Sequence, residues 1–131
     1  MKAFVVATED RPGEIARIGD AMGTARVNMA GIAGLTGEGA GLIGILVSDE
    51  AGARGALRTA GIEARELEVI RIATADEPGA LGKAARKLAS AGVNIELILS
   101  TGISHGKSGV VLAVSDARRA RTLLGDLVVD A

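Results

Sequence analysis

Asp76-Glu77-Pro78-Gly79-Ala80-Leu81, followed twelve residues after Leu81 by Val93-Asn94-Ile95, is the stretch from which the fold can be read. The same pattern stands earlier as Asp10-Arg11-Pro12-Gly13-Glu14-Ile15 and Val27-Asn28-Met29. Both landmarks recur at one offset (78 − 12 and 94 − 28 both give 66). A third landmark, Ser48-Asp49, returns as Ser115-Asp116 one residue later (115 − 48 gives 67). Solenoid repeats run at about 20–50 residues, so this period marks a duplicated domain. The sequence therefore divides into residues 1–67 and 68–131.

Each half carries one series of signals. An apolar segment, Ala3–Thr8 or Val69–Ala75, reads as a strand and leads into the Asp-x-Pro-Gly turn. Proline suits the first helical position, where its missing N–H is not needed, so a helix is expected to start there. Ile15, Ile18 and Met22, and in the second half Leu81, Ala84, Ala85 and Leu88, form its apolar stripe. A second strand is expected from Val27 and Val93, and a third at Leu42–Val47 and Val110–Val114. Ser48-Asp49 and Ser115-Asp116 are N-cap signals for a second helix. Its inner stripes are Ala53, Ala56, Leu57 and Ala60, then Ala117, Ala120 and Leu124. Gly61 and Gly125 suit a left-handed C-terminal cap. Fourth strands are expected around Ile62–Leu67 and Leu127–Asp130. The order strand, helix, strand, strand, helix, strand is the ferredoxin-like unit, an α+β fold. One position breaks the repeat. Gly92 precedes Val93, whereas Arg26 precedes Val27, so the first helix is expected to end early, at Gly23.

Composition limits the function. Apolar residues make up 48% of the 131, and Phe4 is the only aromatic, so the core is aliphatic. The formal net charge of −1 gives no attraction to nucleic acid or to an anionic membrane. There is no cysteine, hence no thiolate metal site or disulfide, and the single histidine, His105, has no partner nearby in sequence. No nucleophile–base pair stands out, so no catalytic residue, metal or cofactor is expected. No run of residues approaches a membrane span or a signal peptide, and a cytoplasmic protein is expected. Arg118, Arg119 and Arg121 read as a solvated helix face. The glycines at 31, 34, 37, 39, 41 and 44 suggest a mobile loop in the first half. Unbroken apolar strands such as Ile45-Leu46-Val47 mean that both sheet faces are covered. Two helices cover one face, so a second copy of the chain, in a homodimer or larger assembly, is expected on the other.

Asp-x-Pro-Gly, an apolar residue, a helix and then Val-Asn-Ile/Met resemble the ACT domain. The resemblance extends over both halves. The second half matches best, and the first departs at Arg26 and in having Ile15 for leucine. It implies two βαββαβ ACT units with antiparallel sheets side by side, in a stand-alone protein that binds an amino acid or a similar small zwitterion and regulates an enzyme. The ligand is then expected between the strand–helix turn of one unit and the second strand of its neighbour. Carried over residue by residue, the ligand-binding set is Asp10, Arg11, Pro12, Gly13, Glu14 and Ile15 with Asn28 and Met29. Its second copy is Asp76, Glu77, Pro78, Gly79, Ala80 and Leu81 with Asn94 and Ile95. The chemistry of these residues suits such a ligand. Unpaired N–H groups at a helix N-terminus attract a carboxylate. Glycine lets the ligand approach the backbone closely, and an asparagine side chain can serve either end of a zwitterion. Asp10 and Asp76 either attract an ammonium group or only fasten the turn. The alternative function is a protein–protein interaction module that regulates an enzyme or transcription factor without a ligand.

Overall fold

Strand β1 (Lys2–Glu9) pairs antiparallel along its whole length with β3 (Ala40–Val47), which pairs on its other side with β2 (Met29–Gly37). Helix α1 (Glu14–Thr24) connects β1 to β2, and α2 (Glu50–Thr59) leads to the short β4 (Arg65–Glu68) beside β1. The sheet order β2-β3-β1-β4 is the ferredoxin-like arrangement. A computed structural model describes residues 1–130 of the chain. It forms two compact units, Met1–Leu67 and a second that begins at Glu68. The second unit repeats the plan with β5 (Ile70–Ala75), α3 (Ala80–Ser90), β6 (Ile95–Ser104), β7 (Lys107–Val114) and α4 (Ala117–Leu124), in sheet order β5-β7-β6.

Its fourth strand is not the one expected. Gly125, at φ 53° and ψ −119°, turns the chain out of α4 into a 3-10 turn over Gly125–Leu127. Only a bridge between Ile72 and Val128 remains, extended by Val129 N–H donating to Arg71 O at 2.9 Å. Each unit ties its last segment to the preceding helix by a forked ion pair. Arg54 holds Glu66 at 2.6 and 2.8 Å, and Arg121 holds Asp130 at 2.7 and 2.9 Å. Arg121 is therefore a structural clasp and not part of a free basic face.

The core of unit 1 joins Phe4, Val6, Ile43 and Ile45 of the sheet to Ile18 and Met22 of α1 and Ala53 and Leu57 of α2. Unit 2 packs Ile70, Ile72, Val110 and Leu112 against Ala84, Leu88, Ala120 and Leu124. The helical periodicity placed these side chains correctly, except for the first residue of the stripes of α1 and α3 and for Ala60, which caps the end of α2 and is exposed. Ile15 and Leu81 stay 51% and 40% exposed.

The helix ends show how local signals act. Three helices finish alike, with the second residue beyond the cap donating to a carbonyl one turn and a half back. These bonds are Val27 to Met22 O, Ile62 to Leu57 O and Val93 to Leu88 O, each 2.9 Å. The residue between cap and valine or isoleucine must be left-handed, and Gly61 and Gly92 are so at φ 70° and 73°. Arg26 takes the same conformation at φ 57°. The early stop at Gly23 does not occur, because burial of Val27 fixes where the chain must turn, and the arginine bears a strain of about 1 kcal/mol. The strands that follow begin two residues later than expected, at Met29 and Ile95, since Val27 and Val93 belong to these caps.

Pro12 and Pro78 do not open the helices either. Gly13 and Gly79 are the N-caps, at φ 96° and 85°, so the prolines lie in the preceding turn and the helices start one residue after each glycine. Five of the six glycines between 31 and 44 are strand residues and not part of a loop. Gly31, Gly34 and Gly37 lie in β2 and Gly41 and Gly44 in β3, with only Gly39 in the hairpin turn. Gly41 is required by crowding, since a Cβ there would stand 2.7 Å from Thr8 Oγ1 and 3.2 Å from Leu35 O.

Candidate functional site

The strand–helix turn is built in the same way in both units. Asp10 N–H donates to Gly39 O at 3.3 Å, and Asp76 N–H to Gly106 O at 2.9 Å, fastening each turn to the hairpin between the second and third strands. These bonds come from the main chain, so both carboxylates remain at the exposed turn surface. Arg11 and Glu77 each donate their N–H to the residue two back, at 3.1 and 2.9 Å. The turn then delivers the chain, through a left-handed glycine, into a helix.

The N-termini of the helices are of two kinds. Asp49 accepts from Gly52 N–H at 2.9 Å and Asp116 from Arg119 N–H at 3.0 Å, capping α2 and α4. At α1 and α3 the N-cap is glycine and no side chain caps the helix. Ala80 N–H, the first of α3, is taken by Glu77 O at 3.3 Å, but no side chain closes the rest of either helix start, where the helix dipole favours an anion.

The two turns differ in charge. Glu14 is 7% exposed at the first position of α1. It accepts from Arg11 Nε at 2.9 Å and from Arg17 Nη2 at 3.1 Å, and Arg11 also pairs with Glu9 at 2.8 Å. Burial alone would raise the Glu14 carboxyl, but the hydrogen bonds and charges of Arg11 and Arg17 outweigh it and hold it below the ordinary glutamate value. At the equivalent positions of unit 2 stand Glu77, Ala80 and Lys83, so α3 starts without a buried carboxylate.

In unit 1 a cleft of about 660 Å³ runs between this turn and β2. Arg11, Pro12, Gly13, Glu14 and Ile15 line one side and Ile32, Gly34 and Thr36 the other, with Ile43 behind. Sequence reasoning did not single out Ile32, Gly34 and Ile43 as site residues. Their signal was an exposed apolar residue and a glycine in a strand, visible only once the strand's face was known.

Asn28 and Met29, and Asn94 and Ile95, are not brought to the turn of their own unit. In unit 1, Met29 and Lys2 both lie beside Val47, whereas the turn follows Glu9 at the far end of the sheet. Seven strand steps at about 3.3 Å separate them by about 23 Å. Both asparagines are exposed, and the main chain of Asn94 is held by a reciprocal pair with Ser115, N–H to Oγ and O to N–H, each at 2.9 Å. His105 lies in the β6–β7 turn at φ 52°, its ring nitrogen 2.8 Å from Ser104 Oγ. Among the described residues no cluster of histidine, aspartate and glutamate could hold a metal ion, and no helix is long and apolar enough to cross a membrane.

No protein-family model and no curated protein matches the sequence. Solved structures do. A protein of Bacteroides thetaiotaomicron superposes with a TM-score of 0.80 at 23% identity, over 94% of this chain and 85% of that one. The ligand-free regulatory subunit of aspartate kinase from Thermus thermophilus superposes with a TM-score of 0.69 at 19% identity, over 96% and 90%. The allosteric aspartate kinase of Clostridium acetobutylicum gives 0.63 at 17%, over 94% of this chain and 32% of that one. At these identities the likeness is one of fold, and the fold is that of two successive ferredoxin-like units.

Proposed function

We propose that the protein is a regulatory module that binds an amino acid, or a similar small zwitterion, at the turns Asp10–Ile15 and Asp76–Leu81. The observation that carries this reading is the pair of uncapped helices. Two of the helices are closed by an aspartate, and the two that follow Asp-x-Pro-Gly are left open in both units. An open N-terminus suits a ligand carboxylate, and Asp10, Glu9 and Asp76 beside it suit an ammonium group. In this reading Asn28 and Asn94, each remote from its own turn, enter the site from a second copy of the chain. The regulatory role and a regulated enzyme as partner are supported by the fold shared with aspartate kinase regulatory subunits.

Association into a homodimer belongs to the same proposal. Strand β2 ends the sheet of unit 1, and Leu35 and Leu42 remain 81% and 58% exposed beside its hairpin. Binding across a seam would stabilise that seam, and association would in turn tighten binding. The exposed leucines equally favour the second reading, a ligand-free interaction module in the cytoplasm.

Thermal-shift measurement against the twenty amino acids separates the two. A ligand at 100 times its Kd adds about 2.7 kcal/mol, which raises the midpoint of a domain this size by several degrees. Absence of any shift removes the sensor reading and leaves the interaction module. Light scattering with and without the effector reports the dimer, and a strict monomer at micromolar concentration removes that part.

A further inference from the structure

The cleft of unit 1 has two unlike walls. Its ionisable groups, Glu9, Arg11 and Glu14, all come from the turn. The sheet side is apolar or neutral. Ile32 lies opposite Ile45 and Gly34 opposite Ile43, on the face that the helices cover, yet Ile32 is 48% exposed because neither helix reaches it. Ile15, on the first turn of α1, faces the same space at 51% exposure.

Gly34 is the unusual residue. Its φ is not left-handed, so no backbone demand calls for glycine. Crowding does not call for it either: a Cβ would meet Ile43 Cγ1 at 3.6 Å and Leu42 O at 3.7 Å, ordinary contact distances. In unit 2 the corresponding residue is Ser100, opposite Val110. The glycine thus leaves room in the cleft that a side chain could occupy without disturbing the fold.

We infer that the unit 1 cleft reads the ligand's side chain, that it selects an α-amino acid with an apolar side chain, and that Gly34 is the position that admits it. The inference rests on the amino-acid reading above and adds the class of amino acid and the unit that selects it. A charged side chain would lie against Ile15, Ile32 and Ile43 with no opposite charge on that wall, losing hydration without replacement. Alanine or glycine would leave the space unfilled and forgo the contacts of the three isoleucines. The charges of the turn serve the two ends common to all amino acids and so do not discriminate.

The test is calorimetric titration of the full chain with leucine, phenylalanine, alanine, aspartate and lysine, repeated on Gly34→Val, Gly34→Ala and Ile32→Ser. Leucine or phenylalanine is expected to bind about tenfold or more tighter than the other three. Gly34→Val should weaken the preferred ligand by about tenfold while leaving alanine binding unchanged. Gly34→Ala, the smaller change, should do the same to a lesser extent. Ile32→Ser changes an exposed residue, so it keeps the site open to test if Gly34→Val does not fold. Tightest binding of aspartate or lysine overturns the inference while leaving the sensor reading intact. So does unchanged leucine affinity in Gly34→Ala and Ile32→Ser. Absence of heat with every amino acid overturns the sensor reading, and the inference falls with it.

Discussion

The turn at Glu9–Ile15 and its repeat at Ala75–Leu81 follow one backbone path with different charges. Both hang from a hairpin carbonyl, both pass through a left-handed glycine, and both open a helix that no side chain caps. In unit 1 the nearly buried Glu14 pairs with two exposed arginines at that helix start. In unit 2 Ala80 leaves the same place neutral. Duplication preserved the geometry, which glycine and main-chain hydrogen bonds fix, and left side-chain chemistry free to diverge. The two turns are one scaffold with two electrostatic settings.

Several substitutions would sharpen or break this comparison. The largest effect is expected in the cores, where the units should respond alike. Met22→Ala and Leu88→Ala remove the equivalent buried residue of α1 and α3, and each should cost about 2–5 kcal/mol in denaturant unfolding. A much smaller loss in either would show that the two cores are not equivalent. Next come the caps. Asp49→Ala and Asp116→Ala should each cost about 1 kcal/mol. Loss of only one would mean that the capped helices are not the matched pair that sets off the open ones.

Exchange of the C-terminal caps should give opposite signs. Gly92→Arg should destabilise by up to about 1 kcal/mol, and Arg26→Gly should stabilise by less, because glycine also gains freedom in the unfolded chain. The smallest effect belongs to the clasps, which are partly exposed ion pairs, and it is present at neutral pH and lost in acid. The hydrogen bond and charge of Arg54 hold Glu66 at about 2, below its ordinary 4.5. A depressed folded value adds stability above the unfolded value, and that stability fades as pH falls from about 4.5 to about 2. Glu66→Gln should remove this part of the acid dependence in thermal melts. Asp130 is lowered in the same direction by Arg121, so Asp130→Asn should flatten the profile in the same sense.

Much of the architecture could be read from residues alone because its signals are local. Apolar spacing identified the buried faces of all four α-helices among the described residues, and Asp49 and Asp116 cap as their position suggests. Local signals failed where a neighbour elsewhere in the unit decided the outcome. Arg26 is left-handed because Val27 must be buried, and the strand glycines are strand residues because β3 pairs along the whole of β2. The fourth strand of unit 2 shrank to a bridge at Val128, since Gly125 redirects the chain before it can pair further.

Sequence by itself determined the duplication, the order of elements and the two turns, because repeats, periodicity and turn glycines act over a few residues. Only the tertiary structure decided which N-termini stay uncapped, that Glu14 is buried between two arginines, and that Gly34 and Ile32 share a cleft with the turn. Those facts depend on which strand face meets which helix end, and that juxtaposition exists only after residues far apart in the chain have packed.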